Sequence, residues 1–193
     1  MEYSLKQKHI ILDTARRSIK LHFDKQNIVF PEEWKKEADL WEKRGTFVTL
    51  TKKKSLRGCI GSILPQRPLL EDISENAIHA AFHDPRFEPV QSFEIDDITI
   101  EASILTTPVV QDYSSPQEML NIIRPEIDGV IIQNGYKKAT FLPQVWEELK
   151  DPRDFFMHLC LKAYLPQNFF LTNFNELTIF TYQVVIIKET NQE

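Results

Sequence analysis

Thr46-Phe47-Val48-Thr49-Leu50-Thr51, then Lys52-Lys53-Lys54-Ser55, then Leu56 through Leu64 is the stretch on which the fold turns. The first six residues are β-branched, aromatic or apolar, a polar turn interrupts them, and the apolar pattern then resumes, which predicts a β-hairpin. Downstream, Pro68 is placed to open a helix, and Leu69, Ile73, Ala77 and Ala81 repeat every fourth residue until Asp84-Pro85 stops them. Ile98, Ile100, Ala102 and Ile104 then alternate with Thr99, Glu101 and Ser103, the period of a half-buried strand. The order hairpin, helix, strand predicts an α+β unit with an antiparallel sheet.

The second half repeats this order. Ser115-Pro116-Gln117-Glu118 is a capping box with proline at the first helical position, so a short helix should run to about Ile123. Val130-Ile131-Ile132-Gln133, Asn134-Gly135 and Tyr136 to Phe141 predict a hairpin with a type I′ turn. Asp151 caps a helix whose Phe155, Phe156, Leu159, Cys160 and Ala163 share one face, and Leu177 to Ile187 reads as one long strand. Both halves carry Asp-Pro-Arg and end in similar strands, Asp97-Ile98-Thr99-Ile100 and Glu176-Leu177-Thr178-Ile179. An internal duplication of a strand-strand-helix-strand unit, residues 46–105 and 129–187, is expected, although Asp-Pro-Arg ends a helix in the first copy and starts one in the second. Ahead of both, Ile11, Ala15, Ile19 and Phe23 mark an amphipathic helix, and Asn27 to Arg44 is irregular, anchored by Pro31, Trp34 and Trp41.

Composition limits the function. A chain of 193 residues, 42% hydrophobic and 26% charged, is ordinary for a globular protein. A balance of 23 Lys+Arg against 28 Asp+Glu gives a net charge of −5, so no general basic field attracts nucleic acid or anionic lipid. Two cysteines build neither a disulfide framework nor a Cys-rich zinc site. With no signal-peptide core and no apolar run near the ~20 residues that span a bilayer, a soluble cytoplasmic protein is expected, its polar tail at 188–193.

Leu56-Arg57-Gly58-Cys59-Ile60-Gly61 stands apart. Two of only five glycines bracket Cys59, and glycine within a strand marks a bulge, a bend or a close approach to the backbone. Arg57 shares the face of Cys59 if the segment is extended, and a cation near a thiol favours the thiolate. The plain alternative is a small buried hydrophobe in a glycine-bent strand. His79 and His83, four apart on the second helix, suit a general base or two metal ligands, but no third ligand is indicated and a surface or capping pair, or a core histidine at His79, is the favoured reading. Asp84-Pro85-Arg86-Phe87-Glu88-Pro89 is a stiff charged segment in which Asp84 and Arg86 either face a ligand or simply cap a turn and pair with each other. The lysine run 52–54 reads as a solvated hairpin tip, His158 as a surface histidine, and Phe155, Phe156, Phe169, Phe170, Phe174 and Phe180 as core. No P-loop, dinucleotide fingerprint or nucleophile elbow is present.

Leu56 to Gly61, Asp84 to Pro89, Glu101-Ala102-Ser103-Ile104-Leu105 ahead of Pro108, Asp128-Gly129-Val130-Ile131-Ile132 and Ala139 to Trp146 together resemble the AMMECR domain family. The resemblance covers residues 3–187 as a single domain. One departure is Lys162-Ala163-Tyr164-Leu165, where the family commonly has glycine at the third position. The resemblance implies an α+β fold with a mixed or antiparallel sheet flanked by helices, an internal repeat, and a larger and a smaller lobe enclosing a cleft. It implies Leu56 to Gly61 as the signature, Cys59 and Arg57 as site residues and Asp84, Arg86 and Phe87 as their neighbours. It carries no established activity. For prokaryotic members it implies association with a Memo-type protein and a radical S-adenosylmethionine protein, the AmmeMemoRadiSam system. No cofactor is expected, since the three-cysteine cluster motif of the radical enzymes is absent. Three readings follow: an enzyme with Cys59 as nucleophile or redox thiol, Arg57 assisting and Asp84 or His79 carrying a proton; a non-catalytic partner or ligand module; and an RNA binder, which needs a local basic patch.

Overall fold

In a computed structural model that describes residues 2–190, the elements in chain order are α1 (Leu5–Phe23), α2 (Glu32–Lys35), β1 (Thr46–Lys52), β2 (Ser55–Ser62), α3 (Leu69–Phe82), β3 (Ile98–Leu105), β4 (Val109–Gln111), α4 (Pro116–Ile122), β5 (Gly129–Asn134), β6 (Lys137–Phe141), α5 (Pro152–Lys162), α6 (Phe169–Thr172), β7 (Thr178–Tyr182) and β8 (Val184–Lys188), with short 3-10 turns between them. They form two compact units, one up to Thr106 with the chain from Val185 onward, the other Thr107–Val184. Each unit holds a four-stranded sheet, so the fold is α+β with antiparallel pairing, as expected. No helix among the described residues is long and apolar enough to cross a membrane.

The first unit orders its strands β2-β1-β3-β8. α1 starts at a capping box in which the Gln7 N–H donates to Ser4 Oγ at 3.2 Å and the Ser4 N–H donates to Gln7 Oε1 at 2.9 Å. Its Ile11, Ala15 and Ile19 are buried together with Leu69, Leu70, Ile73 and Ala77 of α3 and with Val48, Leu50, Ile100 and Ala102 of the sheet. A polar junction holds α3 to the strand ends: the buried Asp72 Oδ2 accepts from Thr46 at 2.7 Å, Ser62 at 2.5 Å and Asn76 at 3.0 Å. Those groups lie in the core interior, where an unmade hydrogen bond is costly.

The second unit orders its strands β6-β5-β7-β4. Trp146 stacks on Phe155 with centroids 3.7 Å apart, and its indole N–H donates to the Asp128 carbonyl at 2.8 Å. The buried Tyr182 ring lies where a side chain at Gly129 would stand, and burial pushes its hydroxyl up to about 12. In both units a hairpin is followed by a helix and by a third strand that pairs with the hairpin's first strand. Units of this connectivity also arise in unrelated folds, so the expected duplication is not confirmed by it.

One expected element divides. The strand read as continuous from Leu177 to Ile187 is broken at Gln183: β7 pairs with β5 and β4, while β8 joins the sheet of the first unit beside β3. No glycine or proline punctuates the run, because the break is a change of long-range partner rather than a local turn. Of the tail at 188–193, Lys188 ends β8 and the Glu189 carboxylate accepts from Arg16 Nη2 at 2.6 Å, whereas residues 191–193 lie outside the described part of the chain.

The departure at Tyr164 has a structural cost. It follows the end of α5 with φ +57° and is 87% exposed, a left-handed conformation that glycine adopts freely and a side chain does not. Lys137 Nζ reaches only its main-chain oxygen, at 2.9 Å, a contact glycine would keep. Tyr164→Gly should therefore stabilise the protein by about 1 kcal/mol, read as a higher urea midpoint; an unchanged or lower midpoint would contradict it.

Candidate functional site

β2 is an edge strand of the first sheet, hydrogen-bonded to β1 alone among strands, so alternate main-chain groups point away from the sheet and need other partners. At Cys59 two side chains supply them. The Cys59 N–H donates to Asp84 Oδ2 at 2.8 Å, and Arg86 Nη2 donates to the Cys59 carbonyl at 3.2 Å. Arg86 also donates to both Asp84 oxygens, through Nε at 2.9 Å and Nη2 at 2.7 Å. An ion pair thus takes the place of a neighbouring strand. Asp84 is buried, and Arg86 foremost, with the N–H groups of Cys59 and Arg86, holds its carboxyl well below the usual range against the opposing effect of burial.

The local sequence explains this clasp. Asp84-Pro85-Arg86-Phe87 is a tight turn, with the Phe87 N–H donating to the Asp84 carbonyl at 3.1 Å and the Arg86 N–H to Asp84 Oδ1 at 3.1 Å. The Arg86 guanidinium lies 5.5 Å over the Phe87 ring. Pro85 fixes the backbone just after α3, so the turn arrives beside β2 in one direction. Of the alternatives raised for Asp84 and Arg86, the structure shows the local one, a capped turn and a mutual pair, and the pair also holds the main chain of Cys59.

The glycines mark a bulge and two close approaches. Register slips between Leu50 and Thr51, so that Leu50 faces Gly58, Thr51 faces Leu56, and Arg57 has no partner on β1. Arg57 is thereby out of step with Cys59. Its guanidinium turns to the buried Glu94, with Nε at 3.3 Å from Oε1 and Nη2 at 3.0 Å from Oε2, while Nη1 donates to the Glu88 carbonyl at 2.9 Å. Arg57 above all, then the Gln91 N–H and Lys52, hold Glu94 at about 2 against burial. Gly58 lies against the Ala80 carbonyl of α3, and Gly61 under the Phe47 ring. Ile60 packs against the core, and Leu56 is exposed.

At the thiol itself, Thr49 Oγ1 donates to Cys59 Sγ at 3.2 Å, and the Cys59 side chain is partly exposed. The cation at this residue is Arg86, which donates to the Cys59 carbonyl at 3.2 Å and whose guanidinium is held above its ordinary value by Asp84 first and also by Cys59. His79 belongs elsewhere: its ring stands 5.3 Å from His83, which in turn faces His22 of α1 at 6.3 Å. Among the described residues no group of three or more His, Cys, Asp or Glu is arranged to hold a metal ion. Cys160 is fully buried in the second unit. Two groups at the site escaped the sequence reading. Thr49 shows its place only through strand register, and Glu94 carries no signal beyond its position three residues after Gln91.

The first unit also has an open cleft of about 1680 Å³, lined by Lys8, His9 and Asp13 of α1, by the hairpin tip at Lys53 and Lys54, and by Lys188. Cys59 does not line it. The motif chemistry, not the volume, locates the candidate site.

Comparison with known proteins places the chain. Residues 12–187 match the AMMECR1 family model. A protein of Methanothermobacter thermautotrophicus is 38% identical over 182 residues, 93% of this chain and 92% of that protein. Protein MJ0810 of Methanocaldococcus jannaschii is 43% identical over 151 residues, 77% of this chain and 74% of its own length. The crystal structure of the uncharacterised protein PH0010 from Pyrococcus horikoshii superposes with a TM-score of 0.79 at 34% identity, covering 93% of this chain and 89% of that one. With nearly its whole length matched by model, sequence and structure alike, the chain belongs to the AMMECR1 family.

Proposed function

We infer that Cys59 is the nucleophilic thiol of a catalytic site in the first unit. The observation that carries this is the surrounding of Cys59: a partly exposed thiol that receives a hydroxyl hydrogen bond from Thr49, in a residue whose main-chain carbonyl accepts from the Arg86 guanidinium. Hydrogen-bond donors and a cation stabilise negative charge on sulfur, the form that attacks. The main-chain clasp by Asp84 and Arg86 fixes the thiol's position, as a preorganised nucleophile requires. In this arrangement Arg86, rather than Arg57, assists the thiol, and Arg57 positions the 84–94 segment through Glu94.

The test is alkylation by iodoacetamide near neutral pH, with the modified residue located by peptide mapping. Cys59 should react at least about tenfold faster than a free model thiol. Thr49→Val, which removes the hydroxyl at nearly constant volume, should slow it several-fold. A wild-type rate no higher than that of the model thiol overturns the reading.

A second reading is a non-catalytic module working with Memo-type and radical S-adenosylmethionine-type proteins. What favours it is that Arg57, Asp84, Arg86 and Glu94 all have structural employment along β2. A slow thiol would leave this reading standing.

A further inference from the structure

The register of β1 sets Thr49 opposite Cys59 on one side and opposite Glu101 on the other, so the three side chains form one row across β2, β1 and β3. The row lies on the sheet face away from the core, since Val48 and Leu50, which flank Thr49 in sequence, are fully buried and side chains alternate along a strand. It continues onto β8, where Lys188 Nζ stands 3.5 Å from Glu101 Oε2. This ion pair is loose, and its side chains are 25% exposed at Glu101 and 56% at Lys188. Only the short Thr49 side chain stands in the row between the pair and the thiol. Thr51 and Thr99, one row along the same face, line the open cleft together with Lys188, whereas Glu101, Thr49 and Cys59 do not, so the row meets the cleft at its Lys188 end.

We propose that Glu101 and Lys188 recognise the zwitterionic head group of a substrate whose electrophilic end meets Cys59, with the α-amino acid group as the ligand class. Opposite charges side by side on an open face are matched by an ammonium and a carboxylate on one carbon, the ammonium meeting Glu101 and the carboxylate meeting Lys188. Two inter-strand steps, about 10 Å, separate the Cys59 and Glu101 backbones. With bonds near 1.5 Å, a chain of about seven bonds joins such a head group to the reacting atom. A γ-glutamyl-cysteinyl disulfide has this length and head group. In the step, the Cys59 thiolate forms a bond to one sulfur of the disulfide, the original S–S bond breaks, and the other half leaves as a thiolate that takes a proton from water. Cys59 is oxidised to the mixed disulfide and half of the reagent is reduced, so no further oxidant enters.

The inference rests on Cys59 being the reactive thiol, and the test separates the two claims. Mixed-disulfide formation at Cys59 is timed with glutathione disulfide and with the neutral bis(2-hydroxyethyl) disulfide, each relative to a free model thiol. The expected result is a preference of about tenfold for glutathione disulfide, lost in Lys188→Ala and in Glu101→Gln, while rates with the neutral reagent stay within about twofold. Fast reaction with both reagents and no effect of either substitution overturns the recognition role and leaves the thiol site intact. Slow reaction with both reagents overturns the thiol reading and this inference together. A uniform loss with both reagents in the variants assigns Glu101 and Lys188 to holding the sheet and also overturns the proposal.

Discussion

Alanine at position 58 should destabilise the protein by about 3 kcal/mol or more, because a methyl group there has nowhere to go. A Cβ on Gly58 would stand 2.1 Å from the Ala80 carbonyl oxygen, 3.0 Å from its carbonyl carbon and 3.7 Å from its Cα. All three are main-chain atoms near the end of α3, and a helical carbonyl cannot swing aside as a side chain does. Relief requires α3 to lift from β2, which would loosen Ile73, Ala77 and Ala80 from Leu50 and Ile100 in the core they share. A useful contrast is Gly135→Ala: nothing lies within 4 Å of that site, and only its left-handed φ of +58° opposes the substitution. It should cost about 1 kcal/mol. Urea unfolding of both variants checks the pair, and a Gly58→Ala cost below that of Gly135→Ala would mean that α3 does not press on β2 at this point.

The same glycine shows how far the fold is legible in the sequence. Glycine inside a strand pattern announces a bulge or a close approach, and Gly58 is both, but the pattern does not say which neighbour approaches. Periodicity gives α1, α3 and strands β1 to β3 of the first unit because it records one property, the direction of the core, at every position, and it misses the short α2 and the separate β8. It is silent on partners. The run Leu177 to Ile187 reads as one strand since both of its parts are β-branched and apolar, yet its halves join different sheets. Arg57 illustrates the same limit at the site: an extended strand sets it beside Cys59, whereas the bulge turns it to Glu94, a residue 37 positions away. The Asp84–Arg86 pairing was legible because it is local, two residues apart within a proline turn. Its contact with the main chain of Cys59 is not local, and only the edge position of β2 creates the demand that it meets. Thr49, Glu101 and Lys188 look like ordinary solvent-facing strand residues until register puts them in line with the thiol.

Asp84→Ala should remove about 2 kcal/mol of stability, the scale for deleting a buried carboxylate with several charge-assisted hydrogen bonds, since the half-exposed Arg86 guanidinium keeps water as a partner. The carboxylate accepts from the main chain of Cys59 and Arg86 and from two nitrogens of the Arg86 guanidinium, so its loss strands an edge N–H of β2 and frees the guanidinium from its place. Asp84→Asn keeps one acceptor oxygen but sets an amide N–H against donors, and should fall between wild type and alanine. The pH dependence has a definite sign. Folding lowers the pKa of this carboxyl below its unfolded value of about 3.9, so the stabilisation is fully present above that value and fades as pH falls through the lower, folded one. The stability gap between wild type and Asp84→Ala should thus be constant around neutrality and narrow in strong acid. Urea midpoints at neutral and acid pH measure it; a gap that widens on acidification, or stays under about 1 kcal/mol at neutral pH, would show that the clasp does not hold the strand. Alkylation of Cys59 in the same variants then separates two roles of one ion pair. If Asp84→Asn keeps most of the stability and the thiol still loses its reactivity, the clasp serves the sulfur through the placement of Arg86, and the edge strand is held for the sake of its chemistry.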